Sequence, residues 1–136
     1  MTTFSFEYEK VDGIPNFDAI PADDLAAFFR TASTMRGSRV KILKAHFGCE
    51  NQTATARQLS VLMGYKNHNA INLQYGSFAK SLALEFGIHG DKYKKQYFDW
   101  LYFLVEFFPP SRTESRKEWQ LQLRKIVVQA LRQLGW

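Results

Sequence analysis

Residues 53–87 read TATARQLSVLMGYKNHNAINLQYGSFAKSLALEFG, and they divide into two helical segments around a short polar turn. Thr55 and Gln58 have the spacing of a capping box, so the first helix is predicted to start near Ala56, to run through Leu59, Leu62 and Met63, and to stop at Gly64. Tyr65, Lys66 and Asn67 form the turn. On a second helix beginning near His68, Ile71, Tyr75, Phe78, Leu82 and Phe86 share one apolar face, and Asn69, Asn72, Gly76 and Lys80 lie opposite. Two helices across a tight turn, the second opening with amides, make the arrangement that places side chains in a DNA groove. An Asn amide donates and accepts on one rigid group and can pair with adenine. A glycine permits close backbone approach, and a lysine neutralises a phosphate. The plainer reading of that stripe is a solvated helix face.

Downstream the pattern changes. Tyr97–Phe108, YFDWLYFLVEFF, is rich in aromatic residues, ends at Pro109 and Pro110, and is predicted as a strand buried on much of both faces. Residues 118–124 alternate strictly, with Trp119, Leu121 and Leu123 on one side, as in a half-buried strand. The connection between them carries Arg112, Arg116 and Lys117. A hairpin with a basic tip after a helix-turn-helix predicts a winged helix, the tip lying on the phosphate backbone or in the minor groove; an ordinary hairpin with solvated charges is the alternative. Tyr97, Trp100, Tyr102 and Phe103 could offer a stacking platform for bases, but packing a small core is the expected use of such rings.

The chain has 136 residues, 46% of them hydrophobic, which suits one core and leaves no room for a separate catalytic module. Of its net charge of +5, the acidic part is concentrated in residues 1–30, with two basic and six acidic side chains. Residues 31–110 hold ten and five, and residues 111–136 hold six and two, so the basic surplus falls where the recognition helix and wing are expected. A single cysteine, Cys49, forms no internal disulfide and fits a reducing compartment. With no spanning apolar run and no secretion signal, the expectation is a cytoplasmic protein without a membrane partner.

The flanking segments supply the frame. Residues 3–10 alternate Phe4, Phe6 and Tyr8 with polar residues and are predicted to form an extra N-terminal strand. A helix opening at Pro21 buries Leu25, Phe28 and Phe29. A helix over 38–47 is predicted to bury Val40, Leu43 and Phe47 and to expose Arg39, Lys41 and Lys44. Ile126, Val127, Ala130, Leu131 and Leu134 mark a closing helix. The fold class expected is therefore mainly α with a small antiparallel sheet (α+β), a winged helix-turn-helix in one domain. Its parts are an N-terminal strand and loop (1–20), helices (22–87), a hairpin wing (97–124) and a closing helix (125–136).

The residues TARQLSVLMGYKNHNAINLQYGSFAKSLA resemble a winged-helix-like module in the non-catalytic part of some bacterial HNH endonucleases and restriction-type proteins, with the pattern T-A-x-x-L-A-x-x-x-G-Y followed by A-x-N-L-x-Y-G-x-L-A. Thr55, Ala56, Leu59, Gly64, Tyr65, Ala70, Asn72, Leu73, Tyr75, Gly76 and Ala79 occupy matching positions, and EWQLQLRKIVVQALRQLGW resembles its closing strand and helix. The resemblance implies binding of duplex DNA, modified or not, in defence against foreign DNA, with Asn72 and Tyr75 as the family-like polar positions. No HNH nuclease half is present, so cleavage would fall to a partner nuclease or a longer parent chain. The candidate DNA-contacting set is Asn67, His68, Asn69, Asn72, Tyr75, Gly76 and Lys80 from the recognition helix (68–86), with Arg112, Arg116 and Lys117 from the wing (110–117).

Catalytic signals are thin. His46 and Cys49 lie three apart, but His68 and His89 lack ligand spacing to them. There is no glycine-rich phosphate loop, G-x-S-x-G or H-E-x-x-H, and Asp91, Asp99, Glu106 and Glu114 with Lys92 and Lys117 form no recognisable nuclease spacing. A non-enzyme with no cofactor and no metal is expected, either a DNA-binding regulator or targeting subunit, alone or with a second copy of itself. A protein-interaction module, such as an inhibitor or adaptor in phage-host conflict, is the alternative.

Overall fold

A computed structural model describes residues 10–11, 14–88, 100–110 and 118–136. Within them the chain is mainly helical with a three-stranded antiparallel sheet. A two-residue pairing of β1 (Lys10–Val11) with β2 (Ile14–Pro15) leads into a 3-10 turn at Phe17–Ala19 and α1 (Ala22–Thr31). Then come α2 (Val40–Phe47), β3 (Thr53–Thr55), α3 (Ala56–Met63) and α4 (His68–Phe86). A 3-10 turn at Trp100–Phe103, β4 (Val105–Phe108), β5 (Gln120–Leu123) and α5 (Lys125–Gln133) complete it. The N-terminal strand predicted over residues 3–10 lies outside the described residues apart from Lys10.

The helix pair forms for the reasons legible in its sequence. Thr55 Oγ1 accepts from the Gln58 backbone N–H at 3.1 Å, and Gln58 Oε1 accepts from that of Thr55 at 2.8 Å, a complete capping box. Gly64 ends α3 with φ 73°, and the N–H groups of Gly64 and Tyr65 return to the carbonyls of Val61 and Ser60, the Schellman pattern. Asn67 then caps α4, its Oδ1 accepting from Ala70 N–H at 3.2 Å, while its own carbonyl accepts from the buried Ser60 hydroxyl at 3.2 Å. The angle between the helices is thus held by backbone groups at both sides of the turn.

Order β3-β5-β4 makes β5 the central strand, with Leu121 opposite Ala54 and Phe107 and Leu123 opposite Val105. One sheet face, carrying Ala54, Val105, Leu121 and Leu123, packs into the core. Gln120 and Gln122 point the other way. The expected core face of α4 is buried throughout, at Ile71, Tyr75, Phe78, Leu82 and Phe86. α1 buries Leu25, Phe28 and Phe29 as expected and packs on α5.

Three local expectations need correction. Of the strand predicted over 97–108, residues 97–99 lie outside the described residues, and among the rest the strand begins only at Val105. A straight strand would send Leu101 and Phe103 to one face and Leu104 to the other, whereas a 3-10 turn packed on α4 buries all three. In α2 the buried set is Ile42, Leu43 and His46, with Val40 and Phe47 only half-buried, because His46 takes a polar place in the core. Trp119 lies just outside β5 and is 55% exposed, rather than covered with Leu121 and Leu123. The sequence reading also contained no strand at Thr53–Thr55, whose three residues carry the β3 edge of the sheet.

His46 is fully buried, its Nδ1 2.7 Å from the Tyr75 hydroxyl and its Nε2 2.8 Å from the Leu121 carbonyl. A carbonyl only accepts, so Nε2 carries the proton and Nδ1 accepts from Tyr75. Burial lowers the His46 pKa to about 4, against the opposing pull of the Leu121 carbonyl. Burial, and secondarily the Cys49 thiol, push the Tyr75 hydroxyl well above its usual range, keeping it a donor. Between pH 6.5 and about 4 the unfolded chain binds a proton at His46 that the folded chain refuses. Stability from this group is therefore complete above pH 6.5 and lost as pH falls toward 4, by about 3 kcal/mol. Urea denaturation across that window should show His46→Gln, which keeps a donor and an acceptor, with a visibly flatter acid limb than the parent. Parallel limbs would remove His46 as the cause. Tyr75→Phe should cost roughly 1–3 kcal/mol at neutral pH by leaving Nδ1 without its donor.

Candidate nucleic-acid interface

The outward side of α4 carries Asn69, Asn72 and Lys80, all exposed, as the helical spacing predicts. Leu73 stands among them at 72% exposure. The Lys80 ammonium lies 5.8 Å from the centre of the Trp100 ring. On the α2 flank, Arg39 Nη1 donates to Ser77 Oγ at 2.9 Å. Of the three basic residues expected to project from α2, Lys41 and Lys44 are exposed and Arg39 is half-buried against α4. Lys44 lies over the Trp136 ring at 5.4 Å.

The remaining candidates separate. Asn67 is exposed but spends its side-chain oxygen on the helix cap. Tyr75 is removed from any surface, since its ring is fully buried and its hydroxyl serves His46. Its membership of the contacting set is therefore corrected. Arg112, Arg116 and Lys117 fall outside the described residues, as do His89, Asp91, Lys92, Asp99 and Glu114. His46 has both ring nitrogens engaged, and among the described residues no three His, Cys, Asp or Glu side chains gather to hold a metal. Glu106 accepts from Arg124 at 3.4 Å. No helix of the described residues is long and apolar enough to cross a membrane.

His68, Asn72 and Gly76 meet on a feature that the sequence did not disclose, a groove of about 560 Å³ between α4 and the hairpin. Its opposite wall is apolar, made by Leu101, Tyr102, Phe107, Leu121 and Trp119. Tyr102 and Phe107 pack edge to face with centroids 4.9 Å apart. At the mouth, Arg57 Nε donates to Glu118 Oε1 at 2.7 Å, an exposed pair that contributes little stability. The wall is fixed from behind by Arg124. This nearly buried side chain donates to the Tyr102 carbonyl at 2.6 Å and to Asp18 at 3.1 Å, and lies over the Phe17 ring at 5.5 Å. The signal that could have found the groove is Gly76, a glycine inside a long helix.

A second groove, about 1760 Å³, covers the outer sheet face between α3 and α5. Gln120, Gln122 and Glu106 form its floor, with Val61, Leu62 and Arg132 among its borders. Gln122 Nε2 donates to the Asn51 carbonyl at 3.3 Å, where Asn51 and Gln52 have φ of 54° and 50°. Its lining mixes amides and charges of both signs with apolar side chains such as Val61, Leu62 and Ile126.

No protein-family model, curated protein or solved structure matches this chain.

A Cβ built at Gly76 meets no atom within 4 Å, so packing does not require glycine there. Glycine inside a helix forfeits roughly 0.5–1 kcal/mol relative to alanine. Gly76→Ala should accordingly raise unfolding stability by about that amount in urea titrations. A destabilised variant would show that the helix is closed at position 76.

Proposed function

We propose that the chain is a non-catalytic binder of duplex DNA, of winged-helix type, which presents α4 to the major groove and the basic wing 110–117 to the backbone. The observation that carries this reading is the α4 surface itself: Asn69, Asn72 and Lys80 exposed together on the second helix of a pair whose turn is locked by the Ser60–Asn67 hydrogen bond. The strand order agrees with it. In a winged helix the strand before the helix pair lies beside the second strand of the following hairpin, as β3 lies beside β5. Lys66 in the turn and His68 at the start of α4, both exposed, add donors at the same end. The resemblance to modules of restriction-type proteins extends this to a regulator or the targeting part of a defence system, with Asn72 as the family-like position that stays on the surface.

A second reading has its own support. Val61 and Leu73 are 73% and 72% exposed, and Leu62 is exposed beside Val61, which suits a helix pair that docks on another protein. Salt separates the two. Phosphate neutralisation makes affinity fall steeply as salt rises, and an apolar interface responds weakly.

Asn69→Ala and Asn72→Ala should each weaken binding to a selected duplex by roughly 1–3 kcal/mol without moving the unfolding midpoint. Replacing Arg112, Arg116 and Lys117 together should weaken binding to all duplexes alike and lower the salt slope by up to about three. Affinities measured from low to high salt test both, and a flat salt response in the parent chain returns the protein-docking reading. Supercoiled plasmid incubated with the chain and Mg²⁺, Mn²⁺ or Zn²⁺ should stay uncut. Metal-dependent nicking lost on substituting Asp91, Asp99 or Glu106 would make the chain a nuclease.

A further inference from the structure

We infer that the groove between α4 and the hairpin is a receptor for a single unstacked nucleobase, held by stacking on Trp119 and by hydrogen bonds from Asn72. This rests on the nucleic-acid reading above and specifies what one part of that surface does. Three independent features support it. Gly76 leaves the helix backbone bare where a Cβ would meet nothing, so a stability cost is kept at a position that lines the groove between His68, Asn72 and the ring-bearing wall. The facing wall supplies ring surface, and Trp119 lines it at 55% exposure, where a planar partner can stack. The polar groups at the helix side are an amide, Asn72, and an imidazole, His68. The Asn72 amide both donates and accepts, as base edges do.

The groove volume of about 560 Å³ falls within the range of small-ligand pockets and admits a base with part of its sugar. A base reaches it only after leaving the stack, which costs least at a mismatch or in a single strand. An apolar side chain of a partner protein would fit the rings but leave Asn72 unanswered.

Gly76→Leu tests this because its Cβ has open space, so the side chain fills the groove and leaves the core alone. Trp119→Ala, at an exposed position, is the second variant. The full chain is titrated with one sequence as a matched duplex, as the same duplex with one central mismatch, and as a single strand, and each variant's thermal midpoint is recorded. The parent is expected to prefer the mismatched duplex by about tenfold. Trp119→Ala should lose that preference while keeping the matched-duplex affinity, its salt slope and the folded midpoint, and Gly76→Leu should lose it while keeping the folded midpoint. Equal affinity of the parent for matched and mismatched duplexes overturns the inference, as does a preference that survives both substitutions; salt-dependent duplex binding in those cases leaves the DNA-binding reading standing. Binding of the single strand alone, abolished by Gly76→Leu, refutes the duplex reading and supports the base receptor. Absence of binding to all three nucleic acids overturns both.

Discussion

The bridge from Tyr75 through His46 to the Leu121 carbonyl joins α4, α2 and the central strand β5 inside the core. Buried polar groups keep their stabilising sign only when each is partnered, so these three elements cannot rotate independently. Tyr75 pointing inward fixes the phase of α4, and with it the exposure of Asn69, Asn72 and Lys80. The same ring shows why a polar residue within a surface motif need not be a surface residue: its hydroxyl is spent inside the protein. Because the bridge requires neutral imidazole, the orientation of the exposed stripe depends on a group whose protonation costs folding free energy.

Local chemistry made the helix pair readable. The Thr55–Gln58 box, Gly64 and the periodicity of Ile71, Tyr75, Phe78, Leu82 and Phe86 are signals whose cause lies within a few residues, and each appears in the structure. What the sequence withheld depends on distant partners. His46 belongs to the core because Leu121 and Tyr75, far along the chain, satisfy it, and an amphipathic pattern counts histidine as polar. Leu101, Phe103 and Leu104 look like a strand until α4 offers one surface that accepts all three. Trp119 reads as a core position by alternation, but the sheet ends before it does. Of the expected contacting residues, the exposed α4 positions were legible, and the groove they share with the hairpin was not, since it exists only once Tyr102 and Phe107 face Gly76.

Arg124 explains how that wall holds its shape. A guanidinium with little access to water needs several acceptors, and it finds the Tyr102 carbonyl, Asp18 and Glu106. The two carboxylates are about half in solvent, so the charge is neutralised at the edge of the core rather than deep within it. The consequence is a 3-10 turn tied to the start of α5, and thus a groove wall anchored to the frame instead of carried on a free loop.

The two flanks of α4 are therefore unlike. Toward α2, Arg39 reaches across to Ser77 and closes the surface with a side-chain hydrogen bond. At its C-terminal end, Glu85 accepts from the backbone N–H groups of Ser33 and Thr34 at 2.7 and 3.0 Å. It also accepts from both hydroxyls, which stitches the helix to the chain after α1. Burial works against the Glu85 carboxylate, and these four hydrogen bonds outweigh it, holding its pKa below the usual value. Toward the hairpin the helix carries Asn72 and Gly76 beside an open, ring-lined groove. A partner that engages Asn69 and Lys80 and gains further contact must lean to the hairpin side, because the other flank has already been taken up by the protein's own hydrogen bonds. On the proposed reading, that asymmetry leaves the hairpin side of α4, with Asn72 and Gly76 beside the groove, as the flank open to a partner.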